Sequence, residues 1–198
     1  MDLLFASTNS HKYREYKELF QGATNIHLLS LKDFPYYVQP EETGDSFEEN
    51  AILKAEHAAK TLQVLAFADD SGLLVPSLGK NSPGVHSARY AGENANDAAN
   101  RQKLLTLLKE KSGKNRAAYF ECWIALVDPF GGLTTFDGRC KGFITEEEKG
   151  EQGFGYDPIF FLPEIQQTFA ELTPEIKNKF SHRYQAFNKF IAYLNIFM

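Results

Sequence analysis

Apolar residues in this chain fall into short runs and period-two alternations, interrupted by longer stretches with helical spacing, and this order predicts a mixed α/β fold. Residues 3–6 form a short apolar strand that breaks into Ser7-Thr8-Asn9-Ser10, after which Tyr13, Tyr16 and Phe20 share one helical face. A second strand covers residues 26–29, and residues 31–39 read as loop, with Pro35 and Pro40 as punctuation. Ser46 and Glu49 then make a capping box for a helix whose buried stripe is Phe47, Ala51, Ala55, Ala59 and Leu62. Residues 64–68 are apolar without a break and run into Asp69-Asp70-Ser71-Gly72, which predicts a buried strand ending at a polar edge. Residues 73–75 continue apolar, and residues 76–84 form a loop rich in glycine and proline.

A third helix, capped near Asn96 or Asp97, buries Leu104, Leu105 and Leu108 and stops at Ser112-Gly113. The longest strand covers residues 116–127, with Ala118, Phe120, Cys122, Ile124 and Leu126 on one side and Trp123 packed on the other. A turn at residues 128–132 returns it through residues 133–144, so a long hairpin occupies about 116–144, placed in a second lobe or at a subunit interface. A glycine-aromatic loop, residues 150–158, precedes a short strand at 159–161. Thr173 and Pro174 start one helix, and Ser181-His182-Arg183 opens the last, which buries Phe187, Phe190, Ile191 and Leu194.

Composition bounds this picture. The 198 residues suffice for one domain spanning 1–198, or for two closely joined lobes with a full core. With 43% hydrophobic and 24% charged residues, and no apolar run near the ~18 residues of a membrane span, a soluble cytoplasmic protein without signal peptide or membrane partner is expected. Cys122 and Cys140 are too far apart for a metal-ligand spacing and read as buried thiols. A net charge of −5 without a basic block argues against a nucleic-acid partner but leaves room for a small phosphorylated ligand.

Six stretches carry candidate chemistry. Asp69 and Asp70 lie on opposite faces of their strand, so one can enter a cleft while the other is held from behind; alone, the string is equally a turn after a strand. His11, Lys12 and Arg14 put basic residues in the first turn of a helix, against the helix dipole, which becomes favourable if an anion sits at that N-terminus. Glu41 and Glu42, with the Asp pair, supply oxygens suited to Mg²⁺, which takes one or two carboxylates plus phosphates. Asn50, Lys54 and His57 flank the alanine stripe and face either a cleft or solvent. An aromatic ring held on the 150–158 loop can stack on a base. Arg89 reads as a phosphate contact or a structural ion pair.

Taken together these segments resemble the inosine triphosphate pyrophosphatase family, also called HAM1-like. The resemblance rests on Ser7-Thr8-Asn9-Ser10-His11-Lys12; Glu41-Glu42-Thr43-Gly44 with Phe47-Glu48-Glu49-Asn50-Ala51; Ala68-Asp69-Asp70-Ser71-Gly72-Leu73; and Pro83-Gly84-Val85-His86-Ser87-Ala88-Arg89-Tyr90. It ends with Gly153-Phe154-Gly155-Tyr156-Asp157-Pro158 and Lys177-Asn178-Lys179-Phe180-Ser181-His182-Arg183. The Ser-His-Arg ending separates it from Maf-like proteins. The resemblance implies a mixed central sheet with flanking helices, two lobes around a substrate cleft, a homodimer, and Mg²⁺-dependent hydrolysis of ITP, dITP and XTP to monophosphate and pyrophosphate. By position, Ser7, Thr8, Asn9, Ser10, His11 and Lys12 would hold the triphosphate. Asp70 would be general base or metal ligand, with Glu41, Glu42 and Asp69 completing the metal site. Ser71, Phe154, Gly155, Tyr156, Asp157, Lys177, His182 and Arg183 would bind base and phosphates, with Arg183 and the backbone near Phe154 reading the 6-keto group. Pro76 stands where the family commonly has an acid, and Lys80-Asn81 replaces a small pair. A nucleotide-sensing module of the same fold, and an aspartyl phosphomonoesterase, are the competing readings; the latter lacks an Asp-x-Asp string after the first strand.

Overall fold

A computed structural model describes residues 1–21, 25–79 and 81–197; Lys80, named above as a departure, lies outside them. Among the described residues seven strands hydrogen-bond in the order β2-β1-β3-β4-β5-β6-β7: β1 Asp2–Phe5, β2 His27–Ser30, β3 Ala66–Leu74, β4 Ala117–Val127, β5 Leu133–Ile144, β6 Phe160–Leu162 and β7 Gln167–Thr168. The helices are α1 Ser10–Leu19, α2 Phe47–Leu62, α3 Asp97–Leu107, α4 Pro174–Phe180 and α5 His182–Phe197. The sheet is mixed: β1 runs parallel to β2 and β3, whereas β6 is antiparallel to β5 and β7. No helix among the described residues is long and apolar enough to cross a membrane.

The chain divides into two compact units, unit 1 formed by Met1–Asp70, Cys122–Gly138 and Ala186–Met198, and unit 2 by Ser71–Glu121 and Arg139–Gln185. The long hairpin therefore contributes its tip to unit 1 and its base to unit 2. That tip is tied by Asp128, whose Oδ1 accepts from Phe130 N and Gly132 N at 2.7 and 3.1 Å.

In unit 1, β1 from Leu3 onward and the first half of β3 are buried on both faces. Leu3, Phe5 and Phe67 pack with Tyr16 and Phe20 of α1 and with Phe187, Phe190 and Leu194 of α5. Leu4, Ala66 and Ala68 pack on the other face against Ala51, Ala55, Ala58 and Ala59 of α2. Alanine stems let α2 lie close to the sheet, and each larger buried side chain opposite it is worth about 1.5–3 kcal/mol. The capping box that starts α2 is present: Glu49 N donates to Ser46 Oγ at 3.2 Å, and Ser46 N to Glu49 Oε2 at 3.2 Å. Trp123 is half-buried in this second cluster, as expected of a packing residue.

In unit 2 the core joins Leu73 and Val75, Leu104 of α3 and the Leu108 that caps it, Phe120, Ile144 and Phe160. Arg116, buried at the start of β4, donates to the carbonyls of Ile144, at 2.7 Å, and Leu108, at 2.7 Å.

One expectation is corrected. The strand does not end at the aspartates; β3 continues through Asp69, Asp70 and Ser71 to Leu74. Asp69 is fully buried and Asp70 is 8% exposed, both in mid-strand. A strand tolerates buried charges only when they are matched, and both acids meet an ammonium from a flanking helix.

Candidate functional site

In unit 1 the loop after β1 is shaped by its own side chains. Asn9 caps α1, its Oδ1 accepting from His11 N and Lys12 N at 3.0 and 3.1 Å, while Ser7 Oγ accepts from Asn9 N at 3.2 Å. Two of the helix's first N–H groups are thus satisfied internally. Thr8, Asn9, Ser10 and His11 are exposed and Ser7 is partly buried. Gln39, which the sequence reading missed, braces the loop: Thr8 Oγ1 donates to Gln39 Oε1 at 2.9 Å, and Gln39 Nε2 to Ala6 O at 3.3 Å. No local pattern announces it, because its partners are 31 and 33 residues away.

Lys12 is buried and its Nζ lies 3.0 Å from Asp69 Oδ1. Asp69 also receives the Cys122 thiol, with Sγ 3.6 Å from Oδ2. Asp69 is thus held on the α1 face of β3. Asp70 points to the α2 face, where Lys54 Nζ lies 3.1 Å from its Oδ1 and Asn50 Nδ2 donates to its Oδ2 at 3.4 Å. Lys54 also reaches Glu42 Oε1, at 2.9 Å. Asn50 accepts from Gly44 N at 2.8 Å, tying the acidic loop to the strand. A Cβ at Gly44 would stand 2.7 Å from Asn50 Oδ1, so a side chain there would displace this tie.

Asn50 and Lys54 therefore look onto Asp70, whereas His57 is exposed, with Nδ1 2.9 Å from the Tyr37 hydroxyl. Of the adjacent acids Glu42 reaches Lys54, and Glu41 is exposed. The four acids expected as one ligand set do not converge: no metal-holding group of three or more His, Cys, Asp or Glu occurs among the described residues. The period-two strand is the cause, since it sends Asp69 and Asp70 to opposite faces. What remains is the pair Glu42 and Asp70, two hard oxygen donors brought to one ammonium.

Burial raises the Asp70 carboxyl above the ordinary carboxylate range, against the lowering influence of Lys54 and Lys12. For Lys54, burial works to lower the ammonium's pKa, but Asp70, Glu42 and Asp69 outweigh it and hold the group above its usual value. Lys54 remains a cation, and the site is a buried cation between two carboxylates.

In unit 2 the loop carrying Phe154 is braced by an acid. Asp157 Oδ2 accepts from Phe154 N at 2.9 Å and from Lys177 Nζ at 2.7 Å. The Lys177 ammonium also sits 4.9 Å from the centre of the Phe154 ring. Gly153 has φ +76°, and a Cβ there would lie 2.0 Å from Asp157 Oδ2, so only glycine lets the acid close on the loop. Phe154 is partly exposed. Tyr156 is a core residue, 4% exposed, with its hydroxyl donating to Ser87 O at 2.8 Å, so its ring is not offered to a ligand. Burial raises that hydroxyl's pKa.

Arg183 is 2% exposed and its Nη2 donates to Ser71 Oγ at 2.8 Å. The His182 ring is stacked on Phe120, 4.8 Å between centres and 12° between planes. Ser181 Oγ accepts from Tyr184 N at 3.1 Å in the first turn of α5. The N–H groups of Phe154 and Gly155, expected to read a 6-keto purine, are instead spent inside the fold, on Asp157 and Asp97. Arg89 belongs elsewhere, 3.5 Å from Glu93 on the surface.

Buried carboxylates matched to lysines, an exposed hydroxyl loop at a helix start and a braced glycine-aromatic loop occur here in one chain. The model of the Ham1 family matches residues 3–193. The chain belongs to the Ham1 family. As a Ham1-family member it is 47% identical over 195 residues to the dITP/XTP pyrophosphatase of Protochlamydia amoebophila, an overlap covering 98% of each chain. It is 47% identical over 188 residues to the dITP/XTP pyrophosphatase of Geobacillus kaustophilus, covering 95% of this chain and 91% of the relative. Among solved structures, the HAM1 protein from Coxiella burnetii superposes with a TM-score of 0.89 at 43% identity, and the Staphylococcus aureus Ham1 protein with 0.88 at 42%, each over 98% of both chains.

Proposed function

We propose that this protein hydrolyses the non-standard purine nucleoside triphosphates dITP, ITP and XTP to the monophosphate and pyrophosphate, removing them from the nucleotide pool. The observation that carries this reading is the Glu42–Lys54–Asp70 constellation, a buried carboxylate held in fixed orientation by Lys54 and Asn50 in a chain whose relatives bear the name dITP/XTP pyrophosphatase.

The residues fit a divalent cation. Glu42 and Asp70 are the chain's contribution, and Mg²⁺ characteristically takes one or two carboxylates and completes its shell with water and phosphate oxygens. Bound there, the ion supplies charge neutralisation at the phosphoryl oxygens. The protein's own groups do the rest. Asp70 orients a water for in-line attack at the α-phosphorus and accepts its proton at a carboxylate oxygen. Lys54 fixes the direction of that carboxylate, and Lys12 with Asp69 holds the strand behind it. The hydroxyls of Ser7, Thr8 and Ser10, with His11, take the phosphate chain at the head of α1. In unit 2 Phe154 offers a face for the base. Lys177, His182 and Arg183 supply donors that a keto oxygen accepts and that an exocyclic amine, the 6-amino group of adenine or the 2-amino group of guanine, leaves unmatched, which disfavours ATP and GTP.

The test is a panel of ITP, dITP, XTP, ATP and GTP with Mg²⁺ and separate detection of pyrophosphate and orthophosphate. Pyrophosphate from the first three, and at least tenfold less from ATP and GTP, is expected. Orthophosphate as product overturns the reading, and tight ITP binding without turnover at any Mg²⁺ concentration replaces it with a nucleotide-sensing module. A cytoplasmic homodimer is the assembly this reading carries from the family resemblance; a sedimentation mass of one chain contradicts it.

A further inference from the structure

Helix α3 reads in sequence as architecture, yet its first turns hold the two peptide groups that flank Gly155 in the Phe154 loop. Gly155 N donates to Asp97 Oδ2 at 2.7 Å, and Gly155 O accepts from Arg101 Nη1 at 2.9 Å. Arg101 is fixed in turn by Glu148, 2.9 Å from its Nε, and its side chain is 14% exposed. Asp97 and Arg101 are four residues apart, so they share a helix face. Asn100, on the neighbouring turn and 2% exposed, accepts from Ala91 N at 2.8 Å and donates to Ala88 O at 2.9 Å. The same helix thus also holds the segment whose Ser87 carbonyl receives the Tyr156 hydroxyl. Gly155 has φ +61° with nothing within 4 Å of a built Cβ, so close packing does not fix the backbone on that side.

We propose that Asp97 and Arg101 are positioning residues for the purine base: by clamping the peptide groups on either side of Gly155 they hold the adjacent Phe154 ring in the attitude in which it stacks. This rests on the reading that Phe154 receives the base of a nucleoside triphosphate. Stacking tolerates any purine, so the clamp governs how tightly a base is held and leaves keto-against-amino discrimination to the side-chain donors. A ligand without a base is indifferent to it.

The experiment compares the full-length protein with Asp97→Ala, Asp97→Asn and Arg101→Met. Hydrogen exchange is followed over residues 150–158, and KM and kcat are measured for ITP and ATP. The inhibition constant of inorganic tripolyphosphate is measured alongside. Asp97→Ala and Arg101→Met should speed exchange in the loop and raise KM for both nucleotides by about tenfold, within the range that loss of one stacked base implies. In both variants kcat at saturation and the tripolyphosphate constant should stay within about twofold. Asp97→Asn, which keeps an acceptor oxygen, should restore most of the loss. Unchanged exchange overturns the clamp itself. Faster exchange with unchanged KM, or a parallel loss of tripolyphosphate binding, overturns its role toward the base. Absence of turnover in the unsubstituted protein overturns the proposed activity, while the exchange measurement still decides whether the clamp exists.

Discussion

Replacing Lys54 by methionine tests the electrostatic account of unit 1 most directly. The side chain is 5% exposed, and its ammonium lies 3.1 Å from Asp70 and 2.9 Å from Glu42. At an effective dielectric constant near 20, a unit-charge pair at 3.1 Å is worth about 5 kcal/mol before desolvation. The Glu42 pair counts for less, because that side chain is 34% exposed and screened by water. Methionine retains the packing stem but leaves Asp70 buried and uncompensated, a change that costs about 3–5 kcal/mol in comparable buried pairs. Since a domain's whole stability is about 5–15 kcal/mol, Lys54→Met should shift the urea midpoint strongly downward. The double variant Lys54→Met/Asp70→Asn should recover at least about 2 kcal/mol relative to the sum of the single changes, because the stranded charge is gone. Urea titrations of the four proteins close the cycle. Additive changes, or a Lys54→Met protein within about 1 kcal/mol of the parent, would refute the claim that Lys54 neutralises Asp70.

Three further outcomes are expected. Asp70→Asn should lower ITP turnover by about a thousandfold, the scale of a lost general base, while circular dichroism stays that of the parent; near-parental activity sinks the assignment of Asp70. Gly153→Ala should cost about 1–3 kcal/mol from its positive φ and raise KM for ITP, as Asp157 is pushed off Lys177 and Phe154; an unchanged KM shows that the acid does not set the loop. Burial, with Glu164 adding to it, pushes the Cys140 thiol up from 9.0 to about 12. Because this raised value belongs to the folded state alone, ionisation favours unfolding once pH climbs past 9.0, and stability should decline on the alkaline side. In the native protein at pH 8.5, Ellman's reagent should find no Cys140 thiolate on a time scale of minutes and should find it at once in urea; prompt native labelling contradicts the burial.

The parts of the fold legible in sequence were those written locally. The Ser46–Glu49 box started α2 where expected, and the alternation from Ala118 to Leu126 became the buried side of β4. Both depend only on neighbours within a few residues. Asp69 and Asp70 misled because the local rule takes adjacent acids as a strand's end. Their continuation into β3 depends on Lys12, 57 residues away in sequence from Asp69, and on Lys54, 16 from Asp70. Tyr156 looked like a ligand face because it lies in a glycine-rich loop, but its hydroxyl is claimed by Ser87, 69 residues upstream. Asp97 and Arg101 stand four residues apart, which marks only a shared helix face and does not point to Gly155. The side chains of the candidate site are oriented by long-range partners, and single-sequence patterns are silent about those.

The way the chain weaves between its two units has a consequence for biosynthesis. Leu3, Phe5 and Phe67 share their cluster with Phe187, Phe190 and Leu194 of α5. A nascent chain that has already made Asp70 therefore still lacks one wall of that core, and keeps lacking it until α5 has left the ribosome. The apolar faces of β1 and α1 must wait until α5 is made, exposed to any chaperone that binds extended hydrophobic segments. A ribosome stalled before residue 186 would display an incomplete first unit, and the choice between folding and degradation waits on α5.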